Sequence, residues 1–331
     1  MPTVLFSPET LRDEPARFVD LLRDEKVDVI YPQNPQLEQA LGTEEETIEE
    51  LKDVDAVIAG GEMYTERVIA ALPRLRVIAR YGVGYDHVDV AAATRHGVPV
   101  TITPNANHEA VAEQTLALLF ALAKSIVKMD QATREGRWPR IPSLSIRGQT
   151  LGIVGLGRIG RSTALRAAAL GMRVIATEMF PDEEFVANHR IELVDLDTLL
   201  GQSDYVSLHC PLNDQTRGMI DYAKLRQMKS SSALINTARG DLVIEDDLTR
   251  ALGDGTLRAA GLDAFQREPL PCDHPLLQMD NVVLSPHIGG SDTLSREQMG
   301  VEAAECIVKL KRGEWPEGAA LNDELRDQWR W

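Results

Sequence analysis

Short apolar runs alternate with longer polar stretches along most of this chain. In the first hundred residues the runs Val4–Phe6, Val27–Tyr31, Ala56–Ala59, Val77–Ala79 and Val98–Thr101 read as strands. Between them lie helix-favouring segments: Glu9–Glu25, Glu44–Leu51, Thr65–Leu72 and Val88–His96. Such alternation predicts a parallel sheet covered on both faces. One long helix is expected next, from His108 to about Arg134, with Val111, Thr115, Leu118, Leu119, Leu122 and Ile126 at helical spacing. At ~40 Å by rise per residue, it is long enough to bridge two domains. Gly136, Pro139 and Pro142 then interrupt regular structure. From Gln149 the alternation resumes with six strand-like runs: Leu151–Val154, Arg173–Thr177, Tyr205–His209, Ala233–Thr237, Ala260–Asp263 and Val282–Ser285. A final helix is expected from Thr293 to Lys311. The pattern is that of two doubly wound domains, residues 102–287 being inserted between residues 1–101 and 288–331. Crossings near Thr101–Glu109 and Ser285–Thr293 would act as hinges, and the cleft between the sheets is the expected ligand site.

Bulk properties narrow the partners. A length of 331 residues suits two domains. A net charge of −16 disfavours nucleic acid and anionic membrane as partners, so any anion site must be built locally. Cys210, Cys272 and Cys306 are widely spaced and odd in number, which suits a reducing compartment rather than a disulfide framework. No metal-ligand spacing occurs, since the segment after His108 lacks the second histidine of a zinc helix. The N-terminus lacks a signal-peptide pattern, and the apolar stretch Thr115–Val127 is too short to span a bilayer. A cytoplasmic protein is expected.

The segment Gly155-Leu156-Gly157-Arg158-Ile159-Gly160 carries the most specific chemistry. It lies between a predicted strand and a predicted helix, Arg161–Leu170, and a second strand ends in Glu178. That is the setting of a dinucleotide-binding turn. Gly155 allows the tight turn, Gly157 lets backbone approach a pyrophosphate, and Gly160 brings helix close to strand. The helix N-terminus then holds the phosphates. A carboxylate at position 178 accepts from ribose hydroxyls and repels a 2′-phosphate, so NAD is expected over NADP. The fold expected is therefore α/β, with a Rossmann-type nucleotide domain inserted into a flavodoxin-like substrate domain.

Three charged residues follow strand ends in the same half: Arg239, Glu268 and His287. Each follows an apolar run, so all three are expected at one sheet edge, where a nicotinamide would lie. Oxidising a 2-hydroxy acid removes a hydride from carbon and a proton from oxygen. A histidine near neutral pKa can take the proton. A neighbouring carboxylate stabilises the imidazolium, and an arginine grips the substrate carboxylate with its planar fork. Any one of these residues alone reads more simply as a surface or loop charge.

The motifs, taken in order, resemble the D-isomer-specific 2-hydroxyacid dehydrogenase family along nearly the whole chain. They are Arg80-Tyr81-Gly82-Val83-Gly84-Tyr85-Asp86, Gly155 to Gly160, His209-Cys210-Pro211-Leu212, Asn236-Thr237-Ala238-Arg239-Gly240, Gly261-Leu262-Asp263 and Ser285-Pro286-His287-Ile288-Gly289. The resemblance implies that His287 is the acid/base, Glu268 its partner and Arg239 the carboxylate ligand. It implies that Val83 and Gly84 offer backbone N–H groups to the same carboxylate. Arg158 and Ile159 match pyrophosphate contacts. Cys210, Thr237, Ala238, Asp263 and Gly289 match positions near the cofactor. It further implies a homodimer acting on a small anionic 2-oxo or 2-hydroxy acid.

The substrate is read from one departure. The phosphate-binding arginine of phosphoglycerate dehydrogenases, expected after the third N-terminal strand, is missing; Ala59-Gly60-Gly61-Glu62 stands there, and Glu62 would repel a phosphate. Arg80 remains and would substitute only in part. Glyoxylate or hydroxypyruvate is therefore favoured, with D-3-phosphoglycerate dehydrogenase as the alternative. A non-enzymatic, NAD-binding corepressor-like regulator is the reading from another class.

Overall fold

The computed structural model describes residues 1–8, 16–38 and 41–331, with nothing of the Glu38 side chain. The chain divides into two compact units, Met1–Asn107 with Ser291–Trp331, and His108–Gly290. In the first, strands β1 (Thr3–Phe6), β2 (Asp28–Ile30), β3 (Ala56–Ala59), β4 (Val77–Arg80) and β5 (Val100–Thr101) form a parallel sheet ordered β2-β1-β3-β4-β5. That is the flavodoxin-like order. β3 and β4 are buried along their whole length, which is why they are uninterrupted apolar runs. Helices cover both faces. Thr43 caps the helix Glu44–Leu51 through a capping box with Glu46. The closing helix Thr293–Lys311 packs on the helix Arg17–Asp24, and Gly300 makes this close approach possible: a Cβ there would lie 2.9 Å from the Phe18 ring. The C-terminal tail returns to this core, burying Trp329 beside Val4 and Phe6. The first seven residues of the predicted helix Glu9–Glu25 lie outside the described residues.

The second unit holds β6 (Thr150–Val154), β7 (Arg173–Thr177), β8 (Glu192–Leu193), β9 (Tyr205–Leu208), β10 (Ala233–Asn236), β11 (Ala259–Leu262) and β12 (Val282–Leu284). They form one parallel sheet, ordered β12-β11-β10-β9-β6-β7-β8. The winding direction reverses between β6 and β9, the switch point of a Rossmann-type sheet. Apolar cores lie on both faces. The sheet has seven strands, not the six expected. β8 is a two-residue edge strand without an apolar run, so hydrophobic pattern does not announce it.

The long helix also departs from expectation. Two helices, His108–Lys124 and Ile126–Arg134, meet at 59° across Ser125, whose backbone is left-handed at φ 51°. The apolar face of the first helix is buried as far as Ala123. Ile126 and Val127 are exposed, so no core remains to keep the helix straight. The Leu144 N–H caps the Ala123 carbonyl at 2.9 Å as the chain turns. Among the described residues, no single helix is long and apolar enough to cross a membrane.

Candidate active site

The glycine turn follows β6, the strand at the switch point. Gly155 has φ +94°, and a Cβ there would lie 2.7 Å from the Cys210 amide nitrogen. Only glycine lets the turn lie against the end of β9. A Cβ on Gly160 would lie 2.1 Å from the Gly155 carbonyl oxygen, so the helix starts hard against the turn. That helix, Arg158–Ala169, begins earlier than the apolar pattern suggests. Its N-cap is Gly157, which has no side chain to close the end. The first turn of a helix favours an anion, and among the described residues nothing crowds the Cβ position of Gly157, so one can approach. Arg158 and Ile159 are its first two residues. Glu178, just past β7, reaches back: its carboxylate accepts from the N–H of Leu156 at 2.6 Å and of Phe180 at 3.0 Å. It therefore braces the turn from the carboxyl end of β7. These features fit a dinucleotide.

β9, β10, β11 and β12 are successive neighbours, and their carboxyl ends carry the remaining candidates in strand order. After β9, Cys210 packs its Sγ 3.7 Å from the Met219 Sδ, and burial pushes its thiol up to about 11, so it is no nucleophile. His209 is half-buried with its ring shielded from water, and this desolvation pulls its imidazole down to about 3 and keeps it neutral, with Nε2 2.9 Å from the Ser207 hydroxyl. After β10, the Asn236 side chain folds a tight turn by donating to the Arg239 carbonyl (2.8 Å) and accepting from the Ala238 N–H (3.0 Å). Arg239 Nη1 donates to the Ala238 carbonyl at 2.7 Å. A Cβ on Gly240 would lie 1.9 Å from the Phe265 carbonyl carbon. The arginine loop is thus pressed onto the loop that carries Glu268.

Glu268 and His287 meet directly. His287 Nδ1 lies 2.7 Å from Glu268 Oε2, and Glu268 Oε1 accepts from the Phe265 N–H at 2.9 Å. Burial pushes the Glu268 carboxyl up. The hydrogen bond and charge of His287, the Phe265 N–H and the Arg239 charge more than offset this and hold it below its ordinary value. With Nδ1 committed to the carboxylate, His287 has Nε2 left for a substrate oxygen. The backbone of His287 is left-handed (φ 53°), and its two successors tie it down: the Ile288 and Gly289 N–H groups donate to the Asp263 carboxylate at 3.1 and 2.8 Å.

Val83 and Gly84 belong to the other unit, in the loop after β4. Arg80 Nε donates to the Gly84 carbonyl at 2.9 Å and shapes that loop. Glu62, after β3, is 2% exposed, and burial pushes its carboxyl up to about 7. It is thus an enclosed group close to half-neutral at pH 7, and its repulsion of a phosphate is weaker than that of an exposed carboxylate.

Sequence reasoning passed over several supporting residues. Gln114 Nε2 donates to the Ser285 hydroxyl at 2.9 Å, and Ser285 donates to Asp263 Oδ1 at 2.5 Å. Thr115 and Thr237 hydroxyls lie 2.9 Å apart. Glu245 accepts from the Gln266 N–H at 2.6 Å and lies 3.4 Å from His274 Nε2, bracing the Glu268 loop. Polar residues at core positions were the available signal.

Comparison with known proteins identifies the family. Residues 116–289 match the family model of the D-isomer specific 2-hydroxyacid dehydrogenase NAD binding domain. A glyoxylate reductase of Korarchaeum cryptofilum is 42% identical over 279 residues, covering 81% of this chain and 83% of that one. A D-3-phosphoglycerate dehydrogenase of Methanocaldococcus jannaschii is 40% identical over 287 residues, which span 85% of this chain but only 55% of that one. The solved structure of D-lactate dehydrogenase from Aquifex aeolicus, complexed with NAD and lactic acid, aligns with a TM-score of 0.83 at 27% identity, covering 96% of this chain and 98% of that chain. The chain belongs to the D-isomer specific 2-hydroxyacid dehydrogenase family and is an NAD-dependent 2-hydroxyacid dehydrogenase.

Proposed function

We propose that this enzyme reduces a small unphosphorylated 2-oxo acid, glyoxylate or hydroxypyruvate, through Arg239, Glu268 and His287. The observation that carries the reading is the 2.7 Å contact between His287 Nδ1 and Glu268 Oε2, with the Arg239 loop packed beside it. Bound NADH supplies the hydride for the 2-oxo carbon. His287, protonated, gives its Nε2 proton to the substrate oxygen, and Glu268 stabilises the imidazolium before transfer. Arg239 grips the substrate carboxylate and stabilises the developing alkoxide. Val83 and Gly84, in the loop after β4, are the residues whose N–H groups the family resemblance assigns to the carboxylate. Gly155, Gly157, Arg158, Ile159, Gly160 and Glu178 hold the pyrophosphate and ribose. Cys210, Thr237, Ala238, Asp263 and Gly289 line the nicotinamide side.

The first unit, which takes in the expected residues 1–101 and most of 288–331, is the substrate domain, and the second, which takes in most of the expected 102–287, is the NAD-binding domain. The glyoxylate reductase relative supports the substrate class, as does the lack of an arginine after β3. The phosphoglycerate dehydrogenase relative keeps 3-phosphoglycerate as the second reading. A cytoplasmic homodimer is proposed: Ile126, Val127, Trp138, Ile141 and Leu144 are exposed within one stretch of sequence, apolar surface that a second copy would cover. The charge of −16 disfavours nucleic acid and membrane.

NADH oxidation measured with glyoxylate, hydroxypyruvate and phosphohydroxypyruvate tests the reading. The unphosphorylated acids should be turned over with the higher kcat/KM. Preference for the phosphorylated acid would overturn the substrate assignment, and turnover of none would favour the regulator.

A further inference from the structure

We propose that Gln114 and Thr115, neighbours on the helix His108–Lys124, are positioning residues that fix the direction of the hydrogen bonds on both sides of the nicotinamide position. The inference rests on the site reading above. It adds two residues that act through Thr237, Ser285 and Asp263.

Thr115 is fully buried in an otherwise apolar helix face. Its hydroxyl donates to the Val111 carbonyl at 2.9 Å. A hydroxyl has one hydrogen. In its second contact, 2.9 Å to the Thr237 Oγ1, Thr115 must therefore accept and Thr237 must donate. The order runs from Thr237 to Thr115 to the Val111 carbonyl. Thr237, at the carboxyl end of β10, then has only lone pairs left to offer. It is a fixed acceptor, suited to an amide N–H donor and unsuited to a carbonyl.

Gln114 does the same for the outer strands. Its amide donates to the Ser285 Oγ, which leaves the single Ser285 hydrogen for Asp263 Oδ1. Asp263, buried, also takes the Ile288 and Gly289 N–H groups. Three donors converge on one carboxylate, and the two backbone donors follow directly on His287. Successive residues of an α-helix point about 100° apart. One turn of a single helix can thus address the ends of β10 and β12 separately. Gly289 completes the device: a Cβ there would stand 2.8 Å from Asp263 Oδ2 and 3.5 Å from the Gln114 side chain.

The test uses the full-length enzyme, with thermal melting to verify folding. Thr115→Val removes the acceptor for the Thr237 hydrogen. NADH affinity, read by fluorescence, should weaken about tenfold, the scale of one hydrogen bond. Thr115→Ser keeps the hydroxyl and should restore affinity to within about twofold. Gln114→Leu should lower kcat about tenfold while NADH affinity stays within about twofold, because it loosens the His287 loop and leaves the turn after β6 intact. Gln114→Met serves if the leucine variant does not fold. Failure of serine to rescue, or an unchanged kcat in the folded Gln114 variant, overturns the proposal. Failure of the underlying reading is distinct: His287→Ala would then keep its turnover while the Thr115 binding series still behaved as stated.

Discussion

Replacing Glu62 by glutamine keeps the shape of the side chain and removes its ability to ionise. Glu62 lies just past β3, and among the described residues neither carboxylate oxygen has a hydrogen-bond partner. Burial pushes its pKa up to about 7. The backbone N–H groups of Glu62 and Gly60 and the Arg80 charge pull it back only partly, without hydrogen-bonding geometry. In the unfolded chain the carboxyl titrates near its ordinary value of 4.5. Between those two values the folded protein holds a proton that the unfolded chain has released. Stability therefore falls as pH rises through the window from 4.5 to about 7, and the full loss is present above it. A shift of this size corresponds to about 3 kcal/mol. Glutamine carries no such penalty. Subtracting wild-type from Glu62→Gln stability should give a difference that grows from pH 5 to pH 8.5 by about 2.5 kcal/mol in favour of the variant. Urea unfolding followed by tryptophan fluorescence is a suitable assay, since Trp315 and Trp329 pack in the core of the same unit. A difference that does not change with pH, or one that shrinks as pH rises, would refute the account.

Other outcomes follow from the described geometry. His287→Ala and Arg239→Ala should each lower turnover of a 2-oxo acid by roughly 10²–10⁴-fold, with NADH binding by fluorescence retained; near-normal turnover in either would end the assignment. Gly160→Ala should abolish NADH binding, because the new Cβ meets the Gly155 carbonyl oxygen at 2.1 Å; isothermal titration checks this, and wild-type affinity would refute the packing argument. Glu178→Ala should loosen the glycine turn and narrow the preference for NADH over NADPH in paired kcat/KM measurements; an unchanged ratio would mean the carboxylate only braces the turn.

The two sheets were legible because their central strands are buried on both faces and so written as plain apolar runs. β3 and β4 are examples. β8 escaped because a two-residue edge strand needs no such run. The break at Ser125 escaped because Ile126 continues the helical spacing while lying exposed; periodicity records residue type, not whether a core is present. At the site, the glycine turn and the three charged residues were legible as types at expected offsets. Gln114, Thr115 and Ser285 were not. Their roles depend on hydrogen bonds between residues 122 to 171 positions apart, which no local pattern encodes.

His287 hangs from β12, and β12 is the outermost strand on its side of the sheet, bonded to β11 alone and only partly buried. Outer strands open at lower free energy than central ones. Warming should therefore peel the histidine away from its carboxylate while the glycine turn beside β6, an interior strand of the sheet, still holds its nucleotide. Inactivation would then precede melting, and amide exchange at Val283 and Leu284 would keep pace with the loss of activity rather than with the collapse of the fold.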